Sequence, residues 1–221
     1  MRRKLLNVVL LALRLILIKP EVSGKENVPP TGPLILMINH IHALDPYIVV
    51  HVFPRPVTAI AKIEVFDIPL FGFLTRAYGV IPIQRGQVDV HAMRRSLEVL
   101  QAGGALLIAP EGTRSPTHSL QQGKEGMAFI ASRADALIIP VGVTGTEDAE
   151  LCWRRLRRVP VRVSIGKPFR LNPGAEPLRR PLLRTMTDEA MYQLAGTLPP
   201  EYRGIYGDLD AASTGKADEH P

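Results

Sequence analysis

The chain has 221 residues, of which 46% are hydrophobic and 22% are charged; these proportions are ordinary for a globular protein and allow one domain with a full core. Its one cysteine, Cys152, excludes an internal disulfide. The net charge of +6 and the pI of about 9.7 indicate contact with a polyanion, which is either a nucleic acid or an anionic membrane surface.

The N-terminal stretch "MRRKLLNVVLLALRLILIKP" is basic at both ends and apolar from Leu5 to Ile18, with Arg14 inside the apolar run. As a helix, this run would be about 21 Å long, shorter than the ~30 Å hydrocarbon layer of a bilayer. No small-residue cleavage site follows it, as a secretory signal would require. We expect residues 1–20 to form a helix that lies in one leaflet, with its basic residues at the headgroups. The alternative is a core helix packed on the domain.

Further along the chain, apolar runs alternate with helical patterns. Residues Pro20 to Pro33 are rich in proline and glycine, which predicts a linker or surface loop. The predicted strands are Leu34–Ile38, Val57–Ala61, Val80–Pro82, Ala105–Ala109, Leu137–Val143 and Val161–Ile165. The predicted helices are Pro46–Phe53, Pro69–Ala77, Val88–Ala102, Lys124–Ala134 and, late in the chain, Thr187–Leu198. This alternation predicts a single α/β domain over residues 21–206, built around a largely parallel sheet with flanking helices. Residues 207–221 have almost no large apolar side chains, which predicts a disordered tail.

The stretch "NHIHALDPY" places His40 five residues before Asp45. A continuous apolar run precedes His40, typical of a buried strand, and "DPYIVVHVF" has the pattern of a helix start. Asp45 is a favourable N-cap and Pro46 suits the first helical position. A loop between strand and helix can therefore return the carboxylate to the imidazole. The alternative is an N-cap next to an unrelated surface histidine.

Other polar residues also follow predicted strands, where ligands bind in open α/β sheets. Arg85 follows one strand end in "IPIQRG", and "ALLIAPEGTRSP" leads from another strand into Glu111, Gly112, Thr113 and Arg114. Two arginines and a glycine turn predict a site for a phosphate or a carboxylate. Taken alone, the Glu-Gly-Thr-Arg segment is more typical of a turn carrying a solvated ion pair. No cluster with metal-ligand spacing is present in the sequence.

Taken together, these segments resemble the four motifs of the glycerolipid acyltransferases, in the same order. They are His40 with Asp45, then Arg85, then "PEGTRS", then "IIPVGVTGT". The stretch "AKIEVFDIPLFGFLTRAYGVIPIQRG", between the first two motifs, is also similar to that family. The resemblance extends from about Pro33 to Phe169 and is greatest to the lysophosphatidic acid acyltransferases, which acylate 1-acylglycerol 3-phosphate.

The resemblance implies acyl transfer from acyl-CoA or acyl carrier protein to the free hydroxyl of a lysophospholipid, giving phosphatidic acid. It implies His40 as general base and Asp45 as the residue that orients the imidazole. The site for the acceptor phosphate would consist of Arg85, Glu111, Gly112, Thr113 and Arg114. In it the two arginines would bind the phosphate, and Glu111 would orient either an arginine or the acceptor. The backbone N–H groups around Gly112 and Thr113 would serve either the phosphate or the thioester oxyanion. The thioester would be a co-substrate, with no further cofactor and no metal, and the enzyme would lie on the cytoplasmic face of the cell membrane.

Three other functions compete with this interpretation. The first is an acyltransferase of the same family with a different acceptor. The second is a phospholipid hydrolase or transacylase, which the missing Gly-x-Ser-x-Gly segment disfavours. The third is a non-catalytic basic module that binds a membrane or nucleic acid; an aromatic content of only 5% and the apolar N-terminus disfavour nucleic acid.

Overall fold

The computed structural model describes residues 16–210. It contains one sheet of seven strands in the order β1-β7-β6-β2-β5-β3-β4. The strands are β1 (Ile18–Ser23), β2 (Leu34–Ile38), β3 (Val57–Lys62), β4 (Ile81–Ile83), β5 (Ala105–Ile108), β6 (Leu137–Thr144) and β7 (Val159–Ile165).

Five neighbouring strands, β6, β2, β5, β3 and β4, are parallel, while β7 is antiparallel to β6 and β1 is parallel to β7. The carboxyl ends of the five parallel strands therefore meet at one edge of the sheet, called here the carboxyl edge. Because β1 and β7 run the opposite way, they begin at that same edge. The prediction of one α/β domain with a largely parallel sheet is confirmed.

The helices are α1 (Asp45–Val52), α2 (Pro69–Tyr78), α3 (Val90–Gln101), α4 (Gly126–Ala134), α5 (Ala149–Arg154) and α6 (Arg180–Ala195). They cover the two faces of the sheet: α3, α4 and α6 pack on one, α1 and α5 on the other. Strand β2 contributes to both layers, with Ile35 and Met37 on one side and Leu34, Leu36 and Ile38 on the other. Its fully apolar sequence follows from this burial on both faces.

Strand β1 corrects the prediction for the N-terminal region. The predicted linker from Pro20 to Pro33 is wrong over its first four residues, because Pro20–Ser23 belong to β1 and pair with β7. Since β1 is the last strand of the sheet, a proline in it is tolerated there. Ile18, predicted as helical, is in β1 and is 2% exposed, so the boundary drawn after residue 20 falls inside a strand. Ile16 and Leu17 are helical, and the rest of the predicted N-terminal helix lies outside the described residues.

Two helices also differ from the prediction. Helix α6 begins at Arg180 rather than Thr187, and α5 was not predicted. The first turns of α6 contain arginines and a proline, so a helical apolar pattern is weak there. Leu182 and Leu183 of these turns nevertheless pack against the core. In the predicted tail, Leu209 also packs against the core, and residues 211–221 lie outside the described part of the chain. Between residues 16 and 210, no helix is both long and apolar enough to cross a membrane.

Replacing Ile18 tests whether β1 is part of the core. We expect Ile18→Ala to lower the free energy of unfolding by about 2–4 kcal/mol, because it leaves a cavity among buried aliphatic side chains. Lys19→Ala, at the neighbouring exposed position, serves as the control and should change it by less than about 0.5 kcal/mol. Chemical denaturation of the full chain measures both, and equal, small effects would mean that β1 contributes no core packing.

Candidate active site

The functional residues predicted from the sequence are placed at the carboxyl edge of the sheet. His40 follows β2, Arg85 follows β4, and the segment from Glu111 to Arg114 follows β5. The loop after β2 is joined to the loop after β5 by a hydrogen bond of 2.7 Å from the Ser115 N–H to the His40 carbonyl oxygen. The parallel arrangement of β2 and β5 therefore brings the first and third motifs into direct contact.

His40 and Asp45 form a hydrogen-bonded pair. The distance from His40 Nδ1 to Asp45 Oδ2 is 3.1 Å; the aspartate side chain is fully buried and the histidine side chain is 12% exposed. A carboxylate only accepts hydrogen bonds, so Nδ1 carries the proton and donates it. Nε2 of a neutral imidazole is then left as an acceptor. The loop between strand and helix does return the carboxylate to the imidazole.

Asp45 does not act as an N-cap, which corrects the prediction for the helix start. It occupies the first residue of α1, and the N-cap position is Leu44. Its carboxylate turns back toward the preceding loop, where Oδ2 accepts hydrogen bonds of 2.7 Å from the backbone N–H groups of Ile41 and His42. The loop amides and the imidazole thus take the place of the helix amides that a cap would bind.

Two further residues hold this site, and sequence reasoning gave neither a role. Thr146 Oγ1 donates a hydrogen bond of 2.6 Å to Asp45 Oδ1, and both residues are fully buried. Asn39 exchanges two hydrogen bonds with the Val143 backbone, at 2.8 and 2.7 Å. Together they attach the end of β2 to the end of β6. The only sequence signal for Thr146 was its position in the "IIPVGVTGT" block.

Glu111 links two loops from inside the protein. It is 2% exposed, and its two oxygens accept hydrogen bonds from the N–H groups of His40 (3.1 Å) and Gln121 (2.9 Å). Burial raises the pKa of Glu111 to about 7; the nearby charge of Asp45 adds to the rise, and the two N–H donors oppose it. These contacts are better suited to positioning the two loops than to binding a phosphate directly.

Arg85 and Arg114 are both exposed, and their charges interact. The pKa of Arg85 is lowered by partial burial and by the charge of Arg114, while Glu64 opposes the shift. Within residues 16–210, neither guanidinium forms an ion pair with a carboxylate. Two neighbouring guanidiniums without a bound carboxylate are suited to bind an anion with several oxygens, such as a phosphate.

A turn at Gly112 lies between Glu111 and Arg114 along the chain. Gly112 has a φ of 69°, which favours glycine, and its N–H already donates to the Ala109 carbonyl oxygen at 3.0 Å. The Thr113 N–H has no acceptor among the described residues, so it is the better candidate donor to a ligand. Lys124 was missed by sequence reasoning: a Cβ added at Gly112 would lie 3.1 Å from its ammonium nitrogen. Across residues 16–210, no group of His, Cys, Asp and Glu side chains is arranged to hold a metal ion.

Comparison with known proteins identifies the family of this chain. A family model described as acyltransferase matches residues 19–144, which include the paired His40 and Asp45, the two arginines and Glu111. The chain belongs to the acyltransferase family. The matched region runs from β1 to the last residue of β6, so it covers the whole parallel part of the sheet.

Individual relatives carry a more specific name. The chain is 29% identical over 191 residues to a 1-acyl-sn-glycerol-3-phosphate acyltransferase of Chlamydomonas reinhardtii, covering 84% of this chain and 55% of that protein. It is 32% identical over 133 residues to one of Borreliella burgdorferi, covering 59% and 53%. This chain therefore spans about half the length of these curated relatives.

The fold is similar to that of the crystal structure of the 1-acyl-sn-glycerophosphate acyltransferase PlsC from Thermotoga maritima. The TM-score is 0.63 and the identity 23%, over 99% of this chain and 83% of that one.

The raised pKa of Glu111 makes a prediction about stability. Because the folded protein binds this proton more tightly than the unfolded chain, stability from Glu111 is full below the ordinary pKa of 4.5 and is lost as the pH rises to about 7. At about 1.4 kcal/mol per pKa unit, the free energy of unfolding of the wild type should fall relative to that of Glu111→Gln by roughly 3 kcal/mol across this window. Denaturation of both proteins at several pH values measures the difference. A difference that stays constant with pH would contradict the burial of a protonatable Glu111.

Proposed function

We propose that this protein transfers a fatty acyl group from acyl-CoA or acyl carrier protein to the free hydroxyl of a lysophospholipid. The proposed acceptor is 1-acylglycerol 3-phosphate, and the product is phosphatidic acid. The observation that carries the proposal is the His40–Asp45 pair at the carboxyl edge, with Nε2 of His40 unengaged among the described residues. The names of the relatives support the choice of acceptor.

In the proposed reaction, His40 Nε2 takes the proton of the acceptor hydroxyl as its oxygen attacks the thioester carbonyl carbon. A tetrahedral intermediate forms, and its oxyanion needs nearby hydrogen-bond donors. The intermediate then collapses, the carbon–sulfur bond breaks, and the thiolate receives the proton from the imidazolium. The histidine returns to its neutral form, and no covalent enzyme intermediate is needed because the acceptor alcohol is the nucleophile.

Asp45 supports this step without touching the substrate. It fixes the proton on Nδ1, which leaves Nε2 free to accept, and its charge stabilises the imidazolium that forms during transfer. The hydrogen bond from Thr146 and the two from loop amides hold the carboxylate in place. A carboxylate that is already oriented does not have to reorganise when the imidazole becomes charged.

The acceptor phosphate is assigned to the exposed cations beside the catalytic pair. Arg85 and Arg114 bind phosphate oxygens, with the Thr113 N–H as a neutral donor. Lys124 adds a third positive charge over Gly112. Glu111 positions this loop relative to His40, because its two oxygens bind the N–H groups of His40 and Gln121.

A lipid acceptor also places the enzyme at a membrane. We propose a peripheral or monotopic protein on the cytoplasmic face, attached by the apolar and basic N-terminal residues. The acyl-thioester, and with it acyl carrier protein where that is the donor, would approach from the aqueous side. Nucleic acid has no role in this proposal.

Replacing the catalytic pair tests the mechanism. His40→Ala should lower the rate of phosphatidic acid formation by about 10²–10⁴-fold, because it removes the general base, while the fold is retained. Asp45→Asn should fall within the same range and also lower stability, since a buried network loses one acceptor. The control is His91→Ala, which removes an exposed histidine on α3. An assay of acyl transfer to a panel of lysophospholipids measures the reaction rate and identifies the preferred acceptor. Near wild-type turnover of His40→Ala would exclude this mechanism.

The arginines should act through the acceptor. Loss of a charge-assisted hydrogen bond to phosphate costs about 1.5–3 kcal/mol. Arg85→Ala and Arg114→Ala should therefore each raise the KM for the lysophospholipid about tenfold to a hundredfold, with a smaller change for the thioester. Arg133→Ala, at the end of α4 where the chain returns to the opposite edge of the sheet, is the matched control. If the KM for the thioester rises instead, the phosphate site assigned here belongs to the donor.

A further inference from the structure

The exposed apolar side chains of this protein are gathered at one edge of the sheet. Among the side chains that the structure describes between residues 16 and 210, eleven large hydrophobic ones are exposed, and ten of these lie in segments that enter or leave the carboxyl edge. They are Ile16, Leu17, Ile63, Ile68, Phe71, Phe73, Val88, Val90, Leu151 and Leu156. Such an uneven distribution marks an interaction surface, since scattered single apolar residues would not favour one edge.

The most prominent group, called here the apolar tip, consists of Ile63, Ile68, Phe71 and Phe73. These side chains are 41%, 48%, 44% and 60% exposed. They belong to the 3-10 turn Ile63–Asp67 and the start of α2, which follow the carboxyl end of β3. None of them has a role in the site described above.

The backbone beneath the apolar tip is closely packed. A Cβ added at Gly72 would lie 2.1 Å from the Phe66 carbonyl oxygen, so only glycine lets α2 approach the turn this closely. The Gly72 N–H also donates to the Ile68 carbonyl oxygen at 2.6 Å. The apolar side chains therefore project from a turn and a helix that are packed closely against each other.

Positive charges lie beside the apolar tip. The Arg76 guanidinium lies 5.8 Å from the centre of the Phe66 ring, and Lys62 pairs with Glu64 at 2.8 Å. The charge of Glu64 in turn acts on Arg85, so the tip adjoins the arginines assigned to the acceptor phosphate. An apolar projection beside guanidiniums matches the two layers of an anionic membrane surface, its acyl chains and its phosphates.

We propose that the apolar tip inserts into the acyl region of an anionic lipid bilayer and holds the carboxyl edge against the headgroups. This inference rests on the proposed function, because a lysophospholipid acceptor resides in such a bilayer. At the other end of the same edge, Trp153 donates a hydrogen bond to the Leu17 carbonyl oxygen beside the exposed Arg154, Arg155 and Arg157. The N-terminal residues and the apolar tip would then contact the membrane on either side of His40.

Fluorescence quenching tests the insertion directly, without any substrate. Phe73→Trp is made in a Trp153→Phe background of the full chain, so that it carries the single tryptophan. The control places the tryptophan at exposed Lys167, beyond the end of β7 and on the opposite edge of the sheet. With vesicles of phosphatidylglycerol and phosphatidylcholine brominated in the acyl chains, the emission at position 73 should shift to the blue and be quenched. The emission at position 167 should not change. Equal quenching at both positions, or none at position 73, would overturn the proposal.

Kinetics gives a second test of the apolar tip. The double variant Phe71→Ser with Phe73→Ser should lose about tenfold or more of its activity on acceptor embedded in vesicles, because the apolar area that enters the bilayer is lost. On a monomeric short-chain acceptor it should keep at least half of its activity. Equal activity on vesicles, or an equal loss on both acceptors, would overturn the proposal. If position 73 is quenched but the wild type acylates no lysophospholipid, the apolar tip stands and the proposed acceptor falls.

Discussion

The buried carboxylate of Asp45 is the constraint on which the arrangement of this site depends. A carboxylate fully removed from water is tolerated only where hydrogen bonds replace its hydration. Here four donors do so: the His40 imidazole, the N–H groups of Ile41 and His42, and the Thr146 hydroxyl. The need to satisfy one buried charge therefore sets the course of the loop after β2, the start of α1 and the connection to the end of β6.

A second buried acid, Glu111, extends this network to β5. Its oxygens accept hydrogen bonds from one amide of the β2 loop and one amide of the loop that carries Lys124, so a single side chain connects the two loops. Asp45 lies close enough for its charge to raise the pKa of Glu111. Two acids that share a buried region cannot both be charged without cost, and this cost adds to the rise in the pKa of Glu111. The site thus places one fixed negative charge behind the imidazole and its positive charges at the surface.

Much of the fold was predictable from the sequence. The central strands β2, β5 and β6 are continuous apolar runs, because both of their faces are covered, and their predicted positions agree with the structure to within one residue. Strand β1 was missed, since "IKPEVS" contains a proline and alternates in burial at the sheet edge. Helix α5 was missed because six residues are too few to show a period.

The chemical types in the site were also predictable, but most of the contacts that fix them were not. Side chains such as His40, Asp45 and Arg85 appear in the sequence as motifs. The amides that bind Asp45 and Glu111 belong to residues whose identity carries no signal. Asn39 and Thr146 act across more than 100 residues of sequence, and no local pattern joins such positions. Their roles follow from the pairing of β2 with β6, which brings the ends of these two strands together.

The tautomer of His40 is the most direct test of the central claim, that Asp45 holds the imidazole ready to accept a proton through Nε2. Nitrogen-15 NMR of the histidine rings measures which ring nitrogen carries the proton. The measurement is made on the full-length protein at a pH where the His40 ring is neutral. The structure predicts a proton on Nδ1 and an unprotonated Nε2, with this preference lost in Asp45→Asn. A proton on Nε2 in the wild type, or a tautomer unaffected by Asp45→Asn, would contradict the account.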